Sequence, residues 1–378
     1  MERKHLVSLL CMFLACFVVF PALGSGQDQA AASQTFRGMN GKPVFVVIPR
    51  GNAEDAMAQS FIAANIPMWS SSFKVGTTTF NFTMIGTNPA SGNATTSVPV
   101  VIIPIRFHFA NGNALSPAVN ACGDTATPLA RVTNSPIFKN AAYTVGTTSV
   151  GTTQYVDAYQ RANFWNTVKV SAPNYHVLLG PVTQKAVQTI NVPAAQGTTQ
   201  TGPCPSAKIG TVNINFFDLK AQGLITTLGI PATSLPLFVD YNTFLTSGGC
   251  CILGYHSATT ANHTYAVAAY SDPGIFSAAG IRDIHALSHE VGEWMDDPFG
   301  NNPTPAWGNV GQVSGCQNNL ENGDPVTGIA FNKALNGFTY HPEDLVFLSW
   351  FAHQKPSTAV NGWYTFRNTF KTFAAACP

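Results

Sequence analysis

Apolar positions along most of this chain recur with a period of two, in short runs bounded by Gly, Pro, Asn and Ser, which is the pattern of strands. VFVVIP at 44–49 and FNFTMI at 80–85 are early examples, and VPVVIIPIRFHF at 98–109 is the strongest. In its second half Ile105, Phe107 and Phe109 alternate with Arg106 and His108, so one face is buried and His108 points outward as an ordinary strand residue. Pro104 lacks a ladder N–H and predicts an edge or a bulge at that point. YVDAYQRANFW at 155–165 predicts a short amphipathic helix whose aromatic side chains pack. The Gly-, Pro-, Thr- and Gln-rich stretch 191–206 is the best linker candidate. It precedes a strand over 212–217, a helix over about 217–228 and an apolar strand, LPLFVDY, at 235–241.

The period changes to that of a helix at 281–297, IRDIHALSHEVGEWMDD. Ile281, Ile284, Val291 and Met295, with Leu287 at the edge, form one apolar side. His285, His289 and Glu293 step by four residues and stand above one another on another strip. Pro298 ends the helix, because the residue before a proline is pushed out of the α region.

The first 24 residues carry a different pattern. Arg3 and Lys4 lead into an apolar run from Leu6 to Phe20, followed by small residues at Ala22 and Gly24. This is the layout of a signal peptide, with cleavage expected before Ser25. The apolar run is shorter than the roughly 20 residues a spanning helix needs, and the apolar residues after Cys16 weaken a lipobox there. Removal of the leader takes Cys11 and Cys16 with it and leaves Cys122, Cys204, Cys250, Cys251, Cys316 and Cys377. An even number of cysteines in an exported chain predicts disulfides, and the adjacent Cys250 and Cys251 are expected to bond to different partners. No Cys-x-x-Cys pair is present, which argues against a thiolate zinc knuckle or a redox motif. Only 10% of residues are charged and the net charge is +1, with no basic run, so nucleic acid is not an expected partner. No later stretch is long and apolar enough for a stable membrane anchor.

Within 281–297 lies the chemistry. His289-Glu290-Val291-Gly292-Glu293 is a His-Glu-x-x-Glu motif. In the zinc-protease helix His-Glu-x-x-His, two ligands one turn apart hold the metal and the Glu beside the first is the general base. Zinc also accepts carboxylate oxygen, so the geometry survives a Glu in the second ligand position, although a richer oxygen set weakens the preference over manganese or calcium. The helix is rich in potential ligands for a chain so poor in charge. Asp296 and Asp297 follow at its end, and Glu321-Asn322-Gly323-Asp324 forms a second acidic cluster. His256, upstream in CCILGYH, is a possible ligand or a supporting residue, as is Asp297. His285 fits a packed or surface position better than a ligand position.

The segment HEVGEWMDDP resembles the His-Glu-(Leu/Ile)-Ala-Glu segment, followed by Asp/Asn-Pro, of the plant EXORDIUM (phosphate-induced protein) family and related secreted zincin-like proteins. Ala306-Trp307 and Glu321-x-Gly323-Asp324 are similar to that family's Ala-Trp and Glu-Ile-Gly-Asp segments, and Cys251–His256 is similar to its Cys-Gly-(Phe/Trp)-His segment. The resemblance covers about residues 235–378 and implies roles for His256, His289, Glu290, Glu293, Asp297, Glu321 and Asp324. This chain departs from the family at Gly292, where Ala is usual, at Trp294, and at Pro325, where the family has an apolar residue and then Cys.

Together these features predict an α+β protein stabilised by disulfides: a signal peptide at 1–24, a strand-rich region at 25–205 and a zincin-like metal-binding region at 206–378. The motif helix is expected to pack beneath a mixed sheet. The expected function is a secreted, extracellular metal-dependent hydrolase, a zinc metallopeptidase acting on a peptide or protein. His289 and Glu293 would hold Zn2+, with Glu321 or Asp324 as third ligand and Glu290 as base. The alternative is a non-enzymatic extracellular or cell-wall binding protein with a structural metal site. An open metal position separates the first from the second, which would close the site with four protein ligands.

Overall fold

A computed structural model of the chain describes residues 44–51, 56, 65–120, 122–204 and 207–377. The leader expected at 1–24 and its cleavage point lie outside these residues. The strands in chain order begin with β1 (Val44–Ile48), the hairpin β2 and β3 (Met68–Val75, Thr78–Ile85), β4 (Thr95–Phe109), β5 (Ala114–Leu115) and the hairpin β6 and β7 (Ala141–Val145, Thr148–Thr153). They continue with β8 (His176–Gln184), β9 (Gln188–Val192), β10 (Gly197–Thr201), β11 (Lys208–Asn213), β12 (Leu235–Tyr241), β13 (Thr243–Thr246), β14 (Ile252–Ala258) and β15 (Thr264–Tyr270). Two further hairpins, β16 and β17 (Pro303–Val310, Val313–Asn319) and β18 and β19 (Lys333–Leu335, Phe338–Tyr340), complete the set. The helices are α1 (Pro128–Thr133), α2 (Tyr155–Asn163), α3 (Trp165–Ser171), α4 (Ile214–Thr227) and α5 (His285–Asp296), with a short turn of helix at Leu348–Phe351. Among the described residues no helix is long and apolar enough to cross a membrane.

Eleven strands form one mixed sheet in the order β10-β11-β13-β14-β15-β12-β4-β5, with β1 added on β14 and both β8 and β9 on β4. Strands from both sides of residue 205 therefore share one sheet. The strand-rich α+β character expected from the sequence is present. β4 is an interior strand, not an edge: β12 pairs along one side, while β8 pairs as far as Ile102 and β9 begins at Ile105 on the other. Pro104 is tolerated because it falls where the β8 ladder has ended and the β9 ladder has not begun. The expected alternation holds, with Ile105, Phe107 and Phe109 buried and Arg106 and His108 exposed. The stretch 191–206 is not a plain linker, since Gly197–Thr201 pairs antiparallel with β11.

Alternation along the strands builds a core on each face of the sheet. Ile103, Phe107, Phe238 and Val267 meet Phe217, Ala221 and Ile225 of α4 on one face. On the other, Val100, Ile102, Leu237, Ala266 and Ala268 meet Leu287, Val291 and Met295 of α5 and the tyrosines of α2. Each of these buried aliphatic side chains of α5 contributes about 1.5–3 kcal/mol through removal from water. Ala266 and Ala268 on β15, with Gly254 opposite Ala268 on β14, present so little bulk that α5 can lie close to the sheet. Helix α2 is buried all round rather than amphipathic: Asp157, Gln160, Arg161 and Asn163 are buried with Tyr155 and Tyr159, and Arg161 donates to the carbonyls of Val150 and Tyr175.

All six cysteines beyond the leader are paired, as Cys122–Cys204, Cys250–Cys251 and Cys316–Cys377. The expectation of different partners for Cys250 and Cys251 is incorrect. Their Cα atoms are 3.1 Å apart across a cis peptide, which brings the two sulfurs together in place of the divergence of an extended chain. Cys316–Cys377 ties the end of the described chain to β17.

Candidate metal centre

Every residue of α5 is buried, including its polar strip, so the polar groups must find partners inside the protein. The helix begins at His285, four residues later than the apolar pattern suggests, and Asp283 Oδ1 accepts the Ile284 N–H just before it. It ends as expected before Pro298, where Asp297 has left the helical region (φ −143°, ψ 69°). Gly292 leaves no room for a Cβ, which would lie 2.7 Å from Leu345 Cδ1.

His289 and Glu293 face the loop that follows β17, while His285 faces Glu343. His289 Nε2 lies 3.0 Å from Glu293 Oε1 and 3.5 Å from Asp324 Oδ1, yet it makes no hydrogen bond of good geometry. The backbone N–H groups of Gly323 and Asp324 both donate to Glu293 Oε1 at 3.2 Å. Asn322 anchors the loop to the helix, donating to the Gly292 carbonyl and to Asp296 Oδ2, each at 3.0 Å. Gln317 Nε2 donates to Asp324 Oδ2 at 2.8 Å and Gln312 donates to Oδ1, while Asn319 Nδ2 donates to Glu321 Oε1 at 2.8 Å.

His256, on β14, is fully buried with Nε2 3.0 Å from the Asp297 carbonyl oxygen and Nδ1 3.3 Å from Glu290 Oε2. Glu290 lies against Gly254, where a Cβ would meet its Cγ at 2.6 Å, and its Oε1 has no hydrogen-bond partner. The Asp297 side chain is occupied otherwise, accepting from the N–H groups of Asn301 and Asn302 at 2.9 and 3.0 Å, so Asp297 supports the site through its carbonyl. His285 is packed inside, its Nε2 3.2 Å from Glu343 Oε1. The structure thus places Glu293 Oε1 and Asp324 Oδ1 3.0 and 3.5 Å from His289 Nε2, with Glu290, Glu321 and His256 nearby. Two overlapping sets, His289 with Glu290 and Glu293, and His256 with Glu293 and Glu321, each offer ligand atoms within 4.8 Å of one another.

Two neighbours have no counterpart in the sequence pattern. Glu343 accepts from His289 Nδ1 through Oε2 and from the Gly328 N–H through Oε1 at 2.8 Å. Phe45 stacks on the His289 imidazole with ring centroids 3.7 Å apart. A carboxylate behind a ligand histidine is the usual device for fixing its tautomer, and Glu343 of His341-Pro342-Glu343-Asp344 supplies one here. Glu343→Gln is expected to weaken metal binding about 10–100-fold with the fold intact, measured by competition with a chelator; unchanged affinity would remove Glu343 from the site. Gly323 approaches so closely that a Cβ would lie 2.5 Å from His289 Nδ1. Gly323→Ala should therefore displace the ring and weaken binding at least as much, and an alanine variant that binds normally would refute that packing.

The electrostatics of the pocket call for positive charge. Burial, reinforced by Glu293, raises Glu290 and Glu321 well above the usual carboxylate range, and burial raises Asp324 and Asp297 to about 7. Burial also works against charge on Glu293, but His289 outweighs it and holds that carboxyl below its ordinary value. His289 is disfavoured as a cation by burial, yet Glu293 and Glu343 raise it well above an ordinary histidine, whereas burial takes His256 down to about 4. A divalent cation fits this donor set. His289 Nε2, Glu290 Oε1 and Glu321 Oε2 are buried with no hydrogen-bond partner, and imidazole with carboxylate oxygen is a normal zinc environment. A cleft of about 230 Å3 reaches Glu321 and Asp324 from outside, between Val47 and Pro49 on one side and Gln317 to Asn319 on the other.

No protein-family model, no curated protein and no solved structure matches the chain.

Proposed function

We propose that this protein is a secreted metal-dependent hydrolase, a zinc peptidase built on the His-Glu-x-x-Glu helix. The observation that carries the proposal is the approach of Glu293 Oε1 and Asp324 Oδ1 to His289 Nε2, at 3.0 and 3.5 Å, beside a cleft lined by Glu321 and Asp324. In this account Asp324 is the third ligand and Glu321 stands beside it. The zincin-like character of residues 206–378 and the kinship with the EXORDIUM family belong to the same proposal. They are supported by a motif helix lying on a mixed sheet and by the Glu321–Asp324 loop closing on it. Export is supported by three disulfides, which persist in oxidising compartments.

A divalent ion held by His289, Glu293 and Asp324 would polarise a scissile carbonyl and lower the pKa of a water molecule. Glu290, whose Oε1 is unpartnered, takes the proton from the attacking water and passes it to the leaving amine. Glu343 and Phe45 keep His289 in one tautomer and one plane, so that Nε2 faces Glu293 and Asp324. The amides of Gln312 and Gln317 orient Asp324, and the N–H groups of Gly323 and Asp324 orient Glu293. A cleft that reaches Glu321 and Asp324 favours hydrolysis over the binding-protein alternative, in which a metal would only stiffen the fold. The test is a casein and mixed-peptide assay on the mature protein before and after chelation. Activity that disappears with a chelator and returns with zinc is expected. A metal-loaded protein that cleaves nothing would instead favour an extracellular binding role.

A further inference from the structure

The contacts of His256 extend beyond what a single ion on His289 explains. His256 Nε2 faces the Asp297 carbonyl at 3.0 Å, and a carbonyl only accepts, so this nitrogen carries the ring proton. Nδ1 then turns its lone pair towards Glu290 Oε2 at 3.3 Å and Glu293 Oε2 at 3.8 Å. His256 Nδ1 and one oxygen each of Glu290 and Glu293 meet there. Glu321 lies beside the same ring: its Oε2 is buried and unpartnered, 3.9 Å from His256 Nε2, and His256, Glu293 and Glu321 offer ligand atoms within 4.8 Å of one another. The opposite oxygen of Glu293 repeats the arrangement. His289 Nδ1 is hydrogen-bonded to Glu343, and Nε2 turns towards Glu293 Oε1 and Asp324 Oδ1. Each carboxylate oxygen of Glu293 therefore faces a different imidazole whose far nitrogen is already engaged.

We infer that the site holds a pair of divalent cations bridged by Glu293, one bound by His289 and Asp324 and the other by His256 and Glu321. The inference rests on the metal-dependent reading given above. Two dications would balance Glu290, Glu293, Glu321 and Asp324 in their ionised form, which burial otherwise disfavours. A carboxylate bridging through both oxygens suits ions about 3.5–4 Å apart, the spacing of two-metal hydrolases. The second position also gives His256 and Glu321 a function that the single-ion account leaves to packing.

The experiment is a titration of chelator-stripped protein with Mn2+, followed by elemental analysis and electron paramagnetic resonance. Wild type is expected to bind two equivalents and to show an exchange-coupled spectrum at saturation. His256→Gln, or Glu321→Gln should the first variant fold poorly, should bind one equivalent with no coupling. A single equivalent in wild type, unchanged in these variants, would overturn the pair while leaving the single-ion hydrolase intact. Two equivalents without exchange coupling would overturn the Glu293 bridge. No binding at all would overturn both this inference and the metal-dependent function.

Discussion

Glu290→Gln is expected to keep its metal and its melting temperature while hydrolysis falls by about 10²–10⁴-fold, the loss typical of removing a general base. Glutamine has the same size, so it fits the space that Gly254 leaves for the side chain. It can still hydrogen-bond to His256 Nδ1, which lies 3.3 Å from Glu290 Oε2. What it cannot do is accept a proton from water. Measurement requires metal analysis, a melting curve and steady-state hydrolysis on the same preparations. A variant as active as wild type would take the base away from Glu290, and a variant that loses its metal would make Glu290 a ligand.

Glu293→Ala is expected to abolish metal binding and, with it, all hydrolysis. Glu293 is the residue at which the contacts of the site meet: His289 Nε2 at 3.0 Å, His256 Nδ1 at 3.8 Å and the N–H groups of Gly323 and Asp324 at 3.2 Å. Truncation leaves those buried N–H groups without their acceptor, at a cost of about 1–3 kcal/mol for each unsatisfied group. It also removes the linkage stabilisation that a bound ion provides, about 2.7 kcal/mol at an ion concentration 100 times Kd. Wild type should therefore melt higher when zinc is added to the stripped protein, whereas Glu293→Ala should melt lower and ignore the ion. An equal zinc-dependent shift in both proteins would place the ion elsewhere.

Much of this architecture is legible in the chain because local patterns are strong. β4 follows from the alternation of Ile105, Phe107 and Phe109, and α5 ends where Pro298 requires it to. The candidate ligands announce themselves by spacing, since residues four apart on a helix share a face and Glu321–Asp324 is a conspicuous acidic cluster in a chain with little charge. Non-local facts are less accessible. Pro104 suggests an edge, because a one-dimensional pattern cannot show a strand whose neighbour changes from β8 to β9 at that residue. The buried polar faces of α2 and α5 look amphipathic, since their partners, such as Asn322 and Tyr159 around Asp296, come from distant segments. Glu343 and Phe45 carry no motif of their own and become part of the site only through the tertiary fold. The Cys250–Cys251 bond depends on backbone geometry that spacing does not encode.

The most direct measurement is the metal content of the mature protein purified without added metal or chelator, determined by elemental mass spectrometry against protein concentration. The account predicts zinc or another divalent ion at one or two equivalents per chain, retained through gel filtration and reduced to background in Glu293→Ala. A folded, monodisperse preparation that contains no stoichiometric divalent ion, and takes up none when zinc or manganese is supplied, would contradict it.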